Sequence, residues 1–482
     1  MYSEKKVLWS AEELLLHTGG CGFVNSGVYG VSIDSRTIER GDLFIALRGV
    51  NFDGHDFIGQ AFDAGASAGI VDEEFLRNKR RDISSQNLIS VKDTFGALLS
   101  LAKSARARSK AKILAITGSV GKTSVKEGVA MLLSRKFATH KSKGNLNNEI
   151  GAPLSISRMP ANTKFGIFEL GMSKAREIRG LVEIARPDSA IITDVTASHM
   201  REFSSMEDLA DAKLEVFESD ATKCMILNAD SALFDYMFAA ARKIGTSAHR
   251  ESFNIVTFGK DSKSIVRLID AERYERCQEV IVRAEICGKP VSYRLQDIGY
   301  HWVYVSLQVL SCILSLGEDP AEFCDILRDF SPIGGRGNII ELESGLRIMD
   351  ETYNASIASM KAALSRVKDY STSGKKIIVL GDMLELGDLS DRLHDELCEF
   401  IAGEISHRVN RIYFCGHHME KAGKNNSIRC ESVFGKPAVD IAREIKDMCA
   451  RGDIVMIKGS RGMSLENVII FLKSFQKNRK LA

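Results

Sequence analysis

The feature that most constrains the fold is the stretch 113–129, ILAITGSVGKTSVKEGV, in which an apolar run leads through a glycine turn into a helix-like segment. Gly121, Lys122 and Thr123 supply the end of the common phosphate-loop pattern, whose first glycine would fall where Ile116 stands. A strand, a glycine turn and a helix in this order direct backbone N–H groups at an anion. Because Ile116 lies in the strand before the turn, we predict a nucleotide site rather than a chance glycine turn.

The rest of the chain alternates between apolar runs and helical stretches, which favours an α/β fold with parallel, doubly wound sheets. The apolar runs are ILAIT, KFGIFEL, SAIITDV and CMILNAD, followed later by LRIMD, KKIIVLGD, RIYFCG and DIVMIKG. The basic stretch KSARARSKAK predicts a solvated helix end and linker after a first domain of short strands. The turn cluster SPIGGRGN predicts a second boundary near residue 332. We therefore predict three domains, at residues 1–110, 111–332 and 333–482.

Composition excludes several classes of protein. The 44% hydrophobic and 27% charged content is typical of a soluble globular protein. A formal net charge of +2 gives no electrostatic reason to expect nucleic acid or a membrane surface as a partner. The ten cysteines show neither C-x-x-C pairs nor zinc spacing, so we expect free thiols. Charges interrupt the N-terminal segment and no long apolar stretch follows, so we expect a cytoplasmic protein with no signal peptide and no membrane span.

Four side chains are candidates for the chemistry of a nucleotide site. The Lys122 ammonium suits the phosphates, and the Thr123 hydroxyl suits Mg²⁺. Glu169 ends the next strand, and the carboxyl ends of parallel strands share one edge of a sheet, so Glu169 can face the loop and hold Mg²⁺. His199 reaches the same edge after SAIITDV. Alternatively, Glu169 is a solvated carboxylate at a strand end and His199 is a structural histidine.

The segment HKSKGNLNNEIGAP is dense in Asn, Gly and Lys. Such a loop offers many hydrogen-bond donors to a polyanionic substrate. On composition alone, a plain cluster of turn residues explains the segment equally well.

The ordered series of motifs resembles the Mur ligases, the ATP-dependent amide ligases of peptidoglycan precursor synthesis. The series comprises DSRTIERGDLFIALRG, TGSVGKTS, KGNLNNEIGAP, FELG, ASHM, AKLE, GGRG, DETYNASIASMKAAL, VLGDMLELG and KGSRGMSLE. TGSVGKTS is similar to that family's own phosphate loop, which explains Ile116. VLGDMLELG and DETYNAS most resemble the branch that adds D-alanyl-D-alanine.

The resemblance implies a fold, a reaction and a set of partners. The fold would have a small N-terminal UDP-binding domain, a central ATPase-type domain with a parallel sheet and a Rossmann-like C-terminal domain. The enzyme would use ATP and Mg²⁺ to join UDP-N-acetylmuramoyl-tripeptide to D-alanyl-D-alanine through an acyl phosphate, giving the UDP-pentapeptide. A monomer without nucleic-acid or membrane partners is the family default.

The resemblance also assigns roles to residues of this chain. The ATP site would comprise Gly118, Ser119, Val120, Gly121, Lys122, Thr123 and Ser124, with Arg336 and Asp350 from the third domain. The metal site would comprise Thr123, Glu169, His199 and Lys213, the last of which is carbamylated in much of the family. The UDP substrate would contact Asp34, Ser35, Arg36, Asp53, Gly54, His55, Asn145, Asn147, Asn148 and Tyr353. The catalytic residues would be Lys122, His199, Lys213 and Asn354.

Three positions depart from the family pattern. Val305 stands where an Asn often contacts adenine, so the adenine contact must come from elsewhere or the site is weaker. Met172 follows ELG in place of a small or polar residue. The loop after Asn354 lacks the Pro that is common there.

Three alternative functions remain open at this point. Another ligase of the superfamily is one, although the D-N-P-R tetrad of the diaminopimelate-adding or lysine-adding enzyme is absent. A nucleotide-dependent switch or binding module is another, but the chain lacks the N-K-x-D motif that a GTPase would need for guanine. The third is a catalytically weakened relative, which only Val305 and the changed ELG context support.

Overall fold

The computed structural model describes residues 6–78, 87–197, 200–247, 252–274, 279–296, 299–331 and 334–477. These residues form three α/β units, each built on its own sheet. The predicted α/β class is therefore confirmed. The predicted boundary at residue 332 lies outside the described residues.

The N-terminal unit is a five-stranded sheet in the order β1-β5-β4-β3-β2, parallel except for the β1–β5 pair. Its strands are β1 (Cys21–Gly22), β2 (Gly30–Ser32), β3 (Asp42–Ile45), β4 (Ala68–Asp72) and β5 (Leu88–Val91). Its helices are α1 (Ala11–Thr18), α2 (Ile58–Asp63), α3 (Glu73–Asn78) and α4 (Thr94–Arg108). The central strands β3 and β4 are buried along their whole length, as the apolar runs of a parallel sheet require.

Buried polar contacts join this unit to the central one. The Trp9 indole is fully buried and donates to the Ser157 carbonyl at 3.0 Å. The predicted solvated linker is instead helix α4 as far as Arg108, and its arginines lie in this interface. Arg106 Nε donates to the Ala185 carbonyl at 2.9 Å, and the Arg108 guanidinium lies 3.5 Å from the centroid of the Trp9 ring. Arg106 and Arg108 therefore pack in an interface, whereas Lys103 and Lys110 of the same stretch are exposed.

The central unit has nine strands in the order β14-β13-β12-β11-β10-β9-β6-β8-β7. Its strands are β6 (Lys112–Thr117), β7 (Thr139–Lys141), β8 (Phe165–Glu169), β9 (Ser189–Ile192), β10 (Cys224–Asn228), β11 (Asn254–Gly259), β12 (Val266–Tyr274), β13 (Glu279–Ile286) and β14 (Lys289–Gln296). Its helices are α5 (Lys122–Ser134), α6 (Gly151–Ser157), α7 (Glu177–Ala185), α8 (Met206–Leu214), α9 (Phe234–Ser247) and α10 (His301–Ser315). The four predicted strands are present. The antiparallel extension β12–β13–β14 was not predicted from the sequence.

The C-terminal unit has six strands in the order β15-β16-β20-β17-β18-β19, parallel except for the β15–β16 pair. Its strands are β15 (Asn338–Glu341), β16 (Arg347–Glu351), β17 (Lys376–Gly381), β18 (Arg411–Cys415), β19 (Glu431–Phe434) and β20 (Ile454–Lys458). Its helices are α11 (Ile357–Asp369), α12 (Ser390–Phe400), α13 (His417–Asn425), α14 (Ala438–Met448) and α15 (Glu466–Lys477). The sequence predicts four of these strands and misses the edge strands β15 and β19, which are only partly buried.

The topology brings the carboxyl ends of several strands to one cleft. In the central sheet, β6 lies between β8 and β9, and Ile116 pairs with Glu169. Ile116 is fully buried, so the position without the expected glycine is a core residue of β6. A hydrogen bond from Arg336 to Thr123 joins the C-terminal unit to the same edge.

The helices and the cysteines test two further sequence predictions. No helix in the described part of the chain is long and apolar enough to cross a membrane. The cysteines among the described residues are free thiols, as their spacing predicts.

Candidate active site

The phosphate loop lies between the end of β6 at Thr117 and the start of α5 at Lys122. Gly118 has φ +141° and Gly121 has φ +84°, which are conformations that favour glycine. A Cβ on Gly118 would collide with the Thr193 hydroxyl. The two glycines therefore permit both the turn and the close approach of the loop to β9.

The loop is fixed from the segment that follows β9. Ser119 N donates to the Asp194 carbonyl at 2.8 Å, and Ser119 Oγ donates to the Thr196 carbonyl at 2.8 Å. Thr193 Oγ1 donates to the Val120 carbonyl at 2.5 Å. These bonds hold the loop against the segment 193–196. The first N–H groups of α5 lack intrahelical acceptors and suit an anion.

Lys122 lies over this loop. Its ammonium donates to the Gly118 carbonyl at 2.6 Å. Burial lowers the pKa of Lys122, the Glu169 carboxylate opposes that shift, and the Arg336 guanidinium adds to it. An incoming phosphate would stabilise the charged ammonium at this position.

Glu169 and Thr123 meet as the sequence predicts. Thr123 Oγ1 donates to Glu169 Oε2 at 2.8 Å, and Asn147 Nδ2 donates to Glu169 Oε1 at 2.8 Å. Glu169 is only 2% exposed. A carboxylate and a hydroxyl together are oxygen ligands that suit Mg²⁺. The donor set therefore fits the implied metal, while the metal role itself stays a prediction.

The sequence motifs did not predict a role for a second lysine of α5. Lys126 is fully buried, donates to the Gly144 carbonyl and has its Nζ 3.8 Å from Glu169 Oε2. Burial lowers its pKa, and Glu169 and Glu127 oppose the shift. Lys126 thus ties the Asn-rich loop to the carboxylate beside Thr123. Its spacing of one helical turn after Lys122 is the signal that could have indicated a shared face.

Lys213 lies in α8 and is only 2% exposed. Burial lowers the pKa of Lys213 well below its ordinary value, and the nearby Lys122 charge adds to the shift. Among the described residues, no carboxylate forms an ion pair with its Nζ. This environment favours a neutral amine. His199, which the sequence assigns to the same site, lies outside the described residues.

The C-terminal unit contributes Arg336. Its Nη2 donates to Thr123 Oγ1 at 2.8 Å, and its guanidinium carbon lies 3.8 Å from the centroid of the Tyr353 ring. Asp350 accepts the Gly335 N–H at 2.9 Å and the Thr352 hydroxyl at 2.7 Å. Asp350 therefore fixes the turn that carries Arg336, and a contact of Asp350 with ATP stays a prediction.

The loop after Asn354 is held without proline. The Asn354 carbonyl accepts the Lys458 ammonium at 2.8 Å, and Lys458 Nζ lies 3.7 Å from Glu351 Oε2. Ser356 begins α11 with a capping box that includes Ser359. Lys458 is only 3% exposed and, like Lys126, is a buried lysine to which the sequence motifs assign no role.

In the N-terminal unit, the predicted contacts form two groups. Asp34 caps the turn Ser35–Thr37 and forms a bidentate ion pair with Arg36, at 2.9 and 2.8 Å. Ser35 Oγ lies 3.5 Å from Gln60 Oε1. The Arg36 side chain is 85% exposed. This group faces solvent, and its contact with UDP stays a prediction.

Asp53, Gly54 and His55 are engaged inside the fold. His55 Nδ1 lies 2.6 Å from Asp53 Oδ1, and Nε2 accepts the Asp72 N–H at 3.0 Å. The Gly54 N–H donates to the Leu47 carbonyl at 2.8 Å. Both ring nitrogens of His55 are thus in use, and this histidine braces the turn from within.

The remaining predicted positions lie in the Asn-rich loop and at the two buried sites that depart from the family pattern. Asn148 Oδ1 accepts the Gly151 N–H at 2.8 Å where α6 begins, and both Asn145 and Asn148 are exposed. Val305 and Met172 are buried apolar side chains, 6% and 9% exposed, so neither offers a polar atom to a ligand.

Gln308 follows Val305 by one turn of α10 and was also missed. Its Nε2 donates to the Thr193 carbonyl at 3.3 Å, and its Oε1 would lie 3.7 Å from a Cβ on Gly121. The Gln308 amide therefore lies beside the phosphate loop and binds the segment that holds the loop in place.

Comparison with known proteins identifies the family. Residues 27–106 match the Mur ligase family catalytic domain, residues 116–313 the Mur ligase middle domain and residues 335–461 the Mur ligase glutamate ligase domain. A UDP-N-acetylmuramoyl-tripeptide–D-alanyl-D-alanine ligase of Rickettsia prowazekii is 34% identical over 91% of this chain and 94% of its own length. The chain belongs to the Mur ligase family. The resemblance inferred from the motifs is thereby confirmed.

Solved Mur ligase structures share the whole architecture. MurF from Acinetobacter baumannii superimposes with a TM-score of 0.80 at 25% identity, over 97% of this Mur ligase and 99% of that chain. MurF from Thermotoga maritima, solved in complex with ADP, gives a TM-score of 0.72 at 26% identity, over 93% and 98% of the two chains. The three-unit fold of this Mur ligase is therefore that of its family.

Gly118→Ala should damage the phosphate loop. The new Cβ would meet the Thr193 hydroxyl at a left-handed φ, so the loop must shift, with a loss of roughly 1–3 kcal/mol in unfolding free energy. Nucleotide binding should weaken in parallel, as measured by calorimetric titration. Gly180→Ala is the matched control, because a Cβ there meets nothing within 4 Å. Equal behaviour of the two variants would contradict this account of the loop.

His301→Asn should change the acid side of the stability profile. Burial, with help from the Arg366 and Lys458 charges, lowers the pKa of His301 from 6.5 to about 3. As pH falls from about 6.5 towards 3, the unfolded chain binds a proton that the folded chain does not, so the folded state loses stability. The variant should lose less stability than the wild type between pH 7 and 5 in urea unfolding. Equal losses would show that the ring is not desolvated.

Proposed function

We propose that this Mur ligase joins D-alanyl-D-alanine to UDP-N-acetylmuramoyl-tripeptide at the cost of one ATP, giving the UDP-pentapeptide. The observation that carries the proposal is the meeting of Thr123 with both Glu169 and Arg336, at 2.8 Å each. This contact joins a phosphate loop, an acidic oxygen ligand and a cation of the C-terminal unit. The name of the Rickettsia prowazekii relative supports the choice of substrates.

Each unit has one task in this proposal. Residues 1–110 bind the UDP-sugar, with the exposed Arg36 available to the diphosphate. Residues 111–332 bind ATP, and residues 333–482 bind the amine substrate and close over the nucleotide. The protein acts as a cytoplasmic monomer on small-molecule substrates.

Magnesium fits beside the phosphate loop. Thr123 and Glu169 would hold the ion, with His199 in support, and the ion would screen the phosphate charges and polarise the γ-phosphoryl group. The environment of the buried Lys213 favours the neutral amine that takes up CO₂, and a carbamate would convert this lysine into an anionic ligand. The pKa of Lys213, lowered by burial, supports this assignment.

The reaction has two steps. A carboxylate oxygen of the tripeptide attacks the γ-phosphorus of ATP, the bond to the β–γ bridging oxygen breaks, and ADP leaves. The amine of D-alanyl-D-alanine then attacks the acyl carbon and loses a proton, and inorganic phosphate leaves as the amide forms. Activation is needed because a free carboxylate has no good leaving group.

The first step brings two anions together, and the chain supplies the opposing charge. Lys122 donates to the Gly118 carbonyl of the loop, Arg336 donates to Thr123, and Lys126 Nζ lies 3.8 Å from Glu169 Oε2. Such groups act without reorganisation because loop, helix and turn already fix them. Closure of the C-terminal unit excludes water from the acyl phosphate.

The direct test is phosphate release from Mg-ATP, with each co-substrate omitted in turn. Release should require both UDP-tripeptide and D-alanyl-D-alanine, and mass spectrometry should detect the UDP-pentapeptide. Release with another amine, such as diaminopimelate on the UDP-dipeptide, would instead assign the chain to a different ligase branch. The absence of any release would refute the ligase proposal.

Lys122→Ala should abolish most turnover. The loss of one preorganised charge raises the barrier by roughly 2.7–4 kcal/mol, or about 100- to 1,000-fold in kcat. Lys136→Ala is the control, because that lysine follows the end of α5 and pairs with Glu322 on the surface. The rates come from the same phosphate assay. Near-normal turnover of Lys122→Ala would contradict the role of the loop.

A further inference from the structure

Arg461 is an exposed cation that the reaction described above does not use. It begins the turn Arg461–Met463 directly after β20, in the motif KGSRGMSLE. Its guanidinium carbon lies 5.4 Å from the centroid of the Tyr353 ring. Among the described residues, no carboxylate forms an ion pair with it. This exposed guanidinium can therefore pair with an anion.

The same ring connects Arg461 to the phosphate loop. Arg336 lies 3.8 Å from the Tyr353 centroid and donates to Thr123. The two guanidinium carbons are therefore no further apart than these two centroid distances laid end to end. A dipeptide spans roughly 7 Å from its amine to its carboxylate. A dipeptide can thus place its amine near the loop while its carboxylate reaches Arg461.

The turn that carries Arg461 is fixed by hydrogen bonds to the loop after β17. Ser460 N donates to the Asp382 carbonyl at 3.0 Å, and Ser460 Oγ accepts the Leu384 N–H at 2.9 Å. Met463 N donates to the Ser460 carbonyl at 2.9 Å. The guanidinium is therefore mounted on a preorganised turn, which lowers the entropy lost when a ligand binds.

An apolar surface lies beside this turn. Leu384 is 40% exposed, and its Cδ1 would lie 2.8 Å from a Cβ on Gly462. A small apolar side chain on a ligand can pack there while the carboxylate pairs with Arg461. The combination suits a short peptide with methyl side chains and a free carboxylate.

We propose that Arg461 binds the carboxylate of the incoming D-alanyl-D-alanine and so selects a dipeptide acid as the amine substrate. The inference rests on the proposed function. A planar guanidinium can hold both oxygens of a carboxylate, which a lysine ammonium cannot do with the same geometry. The phosphates are less suitable partners, because Arg336, which lies 3.8 Å from the Tyr353 centroid, already contacts Thr123 of the phosphate loop.

The test compares two amine substrates, D-alanyl-D-alanine and its C-terminal amide, with the wild type, Arg461→Gln and Arg461→Lys. The loss of a charged hydrogen-bonded pair should raise the KM of Arg461→Gln for the acid by roughly 10- to 100-fold, with kcat retained at saturation. For the amide, the wild type and Arg461→Gln should have similar KM values, because the carboxylate charge is absent. Arg461→Lys should fall between them for the acid.

A matched control excludes a general effect of lost charge. Arg451→Gln removes an exposed arginine that precedes β20, at the opposite end of the strand. It should leave the KM for both amines unchanged. The KM for ATP and for the UDP-tripeptide should also stay unchanged in Arg461→Gln.

The outcomes separate this inference from the proposed function. Wild-type protein that uses neither amine would refute the proposed ligase activity. Active wild type with an unchanged ratio of acid to amide KM in Arg461→Gln would overturn the role of Arg461. A rise in the KM for the UDP-tripeptide alone would also overturn it, by assigning the guanidinium to the other carboxylate.

Discussion

The hydroxyl of Thr123 is the contact on which the rest of the site depends. It donates to Glu169 and accepts from Arg336, so one side-chain oxygen joins the phosphate loop, the end of β8 and the C-terminal unit. Three features of the fold make this possible. Helix α5 begins at Lys122, β6 pairs with β8 in the register Ile116–Glu169, and the turn that carries Arg336 reaches Thr123.

The electrostatics of the site are local. The whole chain carries a formal charge of +2, yet Lys122 and Lys126 lie near Glu169 and Lys213 lies near Lys122, and burial lowers the pKa of each lysine. This concentration of cations is unfavourable in the folded chain alone. A triphosphate and a substrate carboxylate would supply the missing negative charge, so binding and charge compensation coincide.

The sequence predicts the parts of the fold that carry strong local signals. Buried apolar strands such as β6 and β8, and the turn that leads to Lys122, follow from apolar runs and glycine placement. The edge strands β15 and β19 could not be predicted, because half-buried strands have no continuous apolar run. The antiparallel extension β12–β14 depends on pairing that no local motif indicates.

Prediction of the active site from the sequence is limited for a different reason. Motifs identify which polar residues matter but do not show whether their polar atoms are already in use. His55 and Asp350 form hydrogen bonds within the fold, whereas Arg461 contacts the Tyr353 ring and forms no ion pair with a described carboxylate. Only the three-dimensional structure shows this difference. Lys126 could not be assigned because its partner, Gly144, lies on a separate loop. The Thr123–Arg336 contact spans 213 residues of chain, beyond the range of any local pattern.

The central claim is that Thr123 and Arg336 act as one unit. The most direct test is a double-mutant cycle between Thr123→Val and Arg336→Gln, in which kcat/KM for ATP is measured in the complete ligase reaction. If the two side chains act as one unit, the double variant should lose little more activity than the worse single variant. If the two losses multiply, the side chains act independently, and the account of a site assembled at Thr123 is wrong.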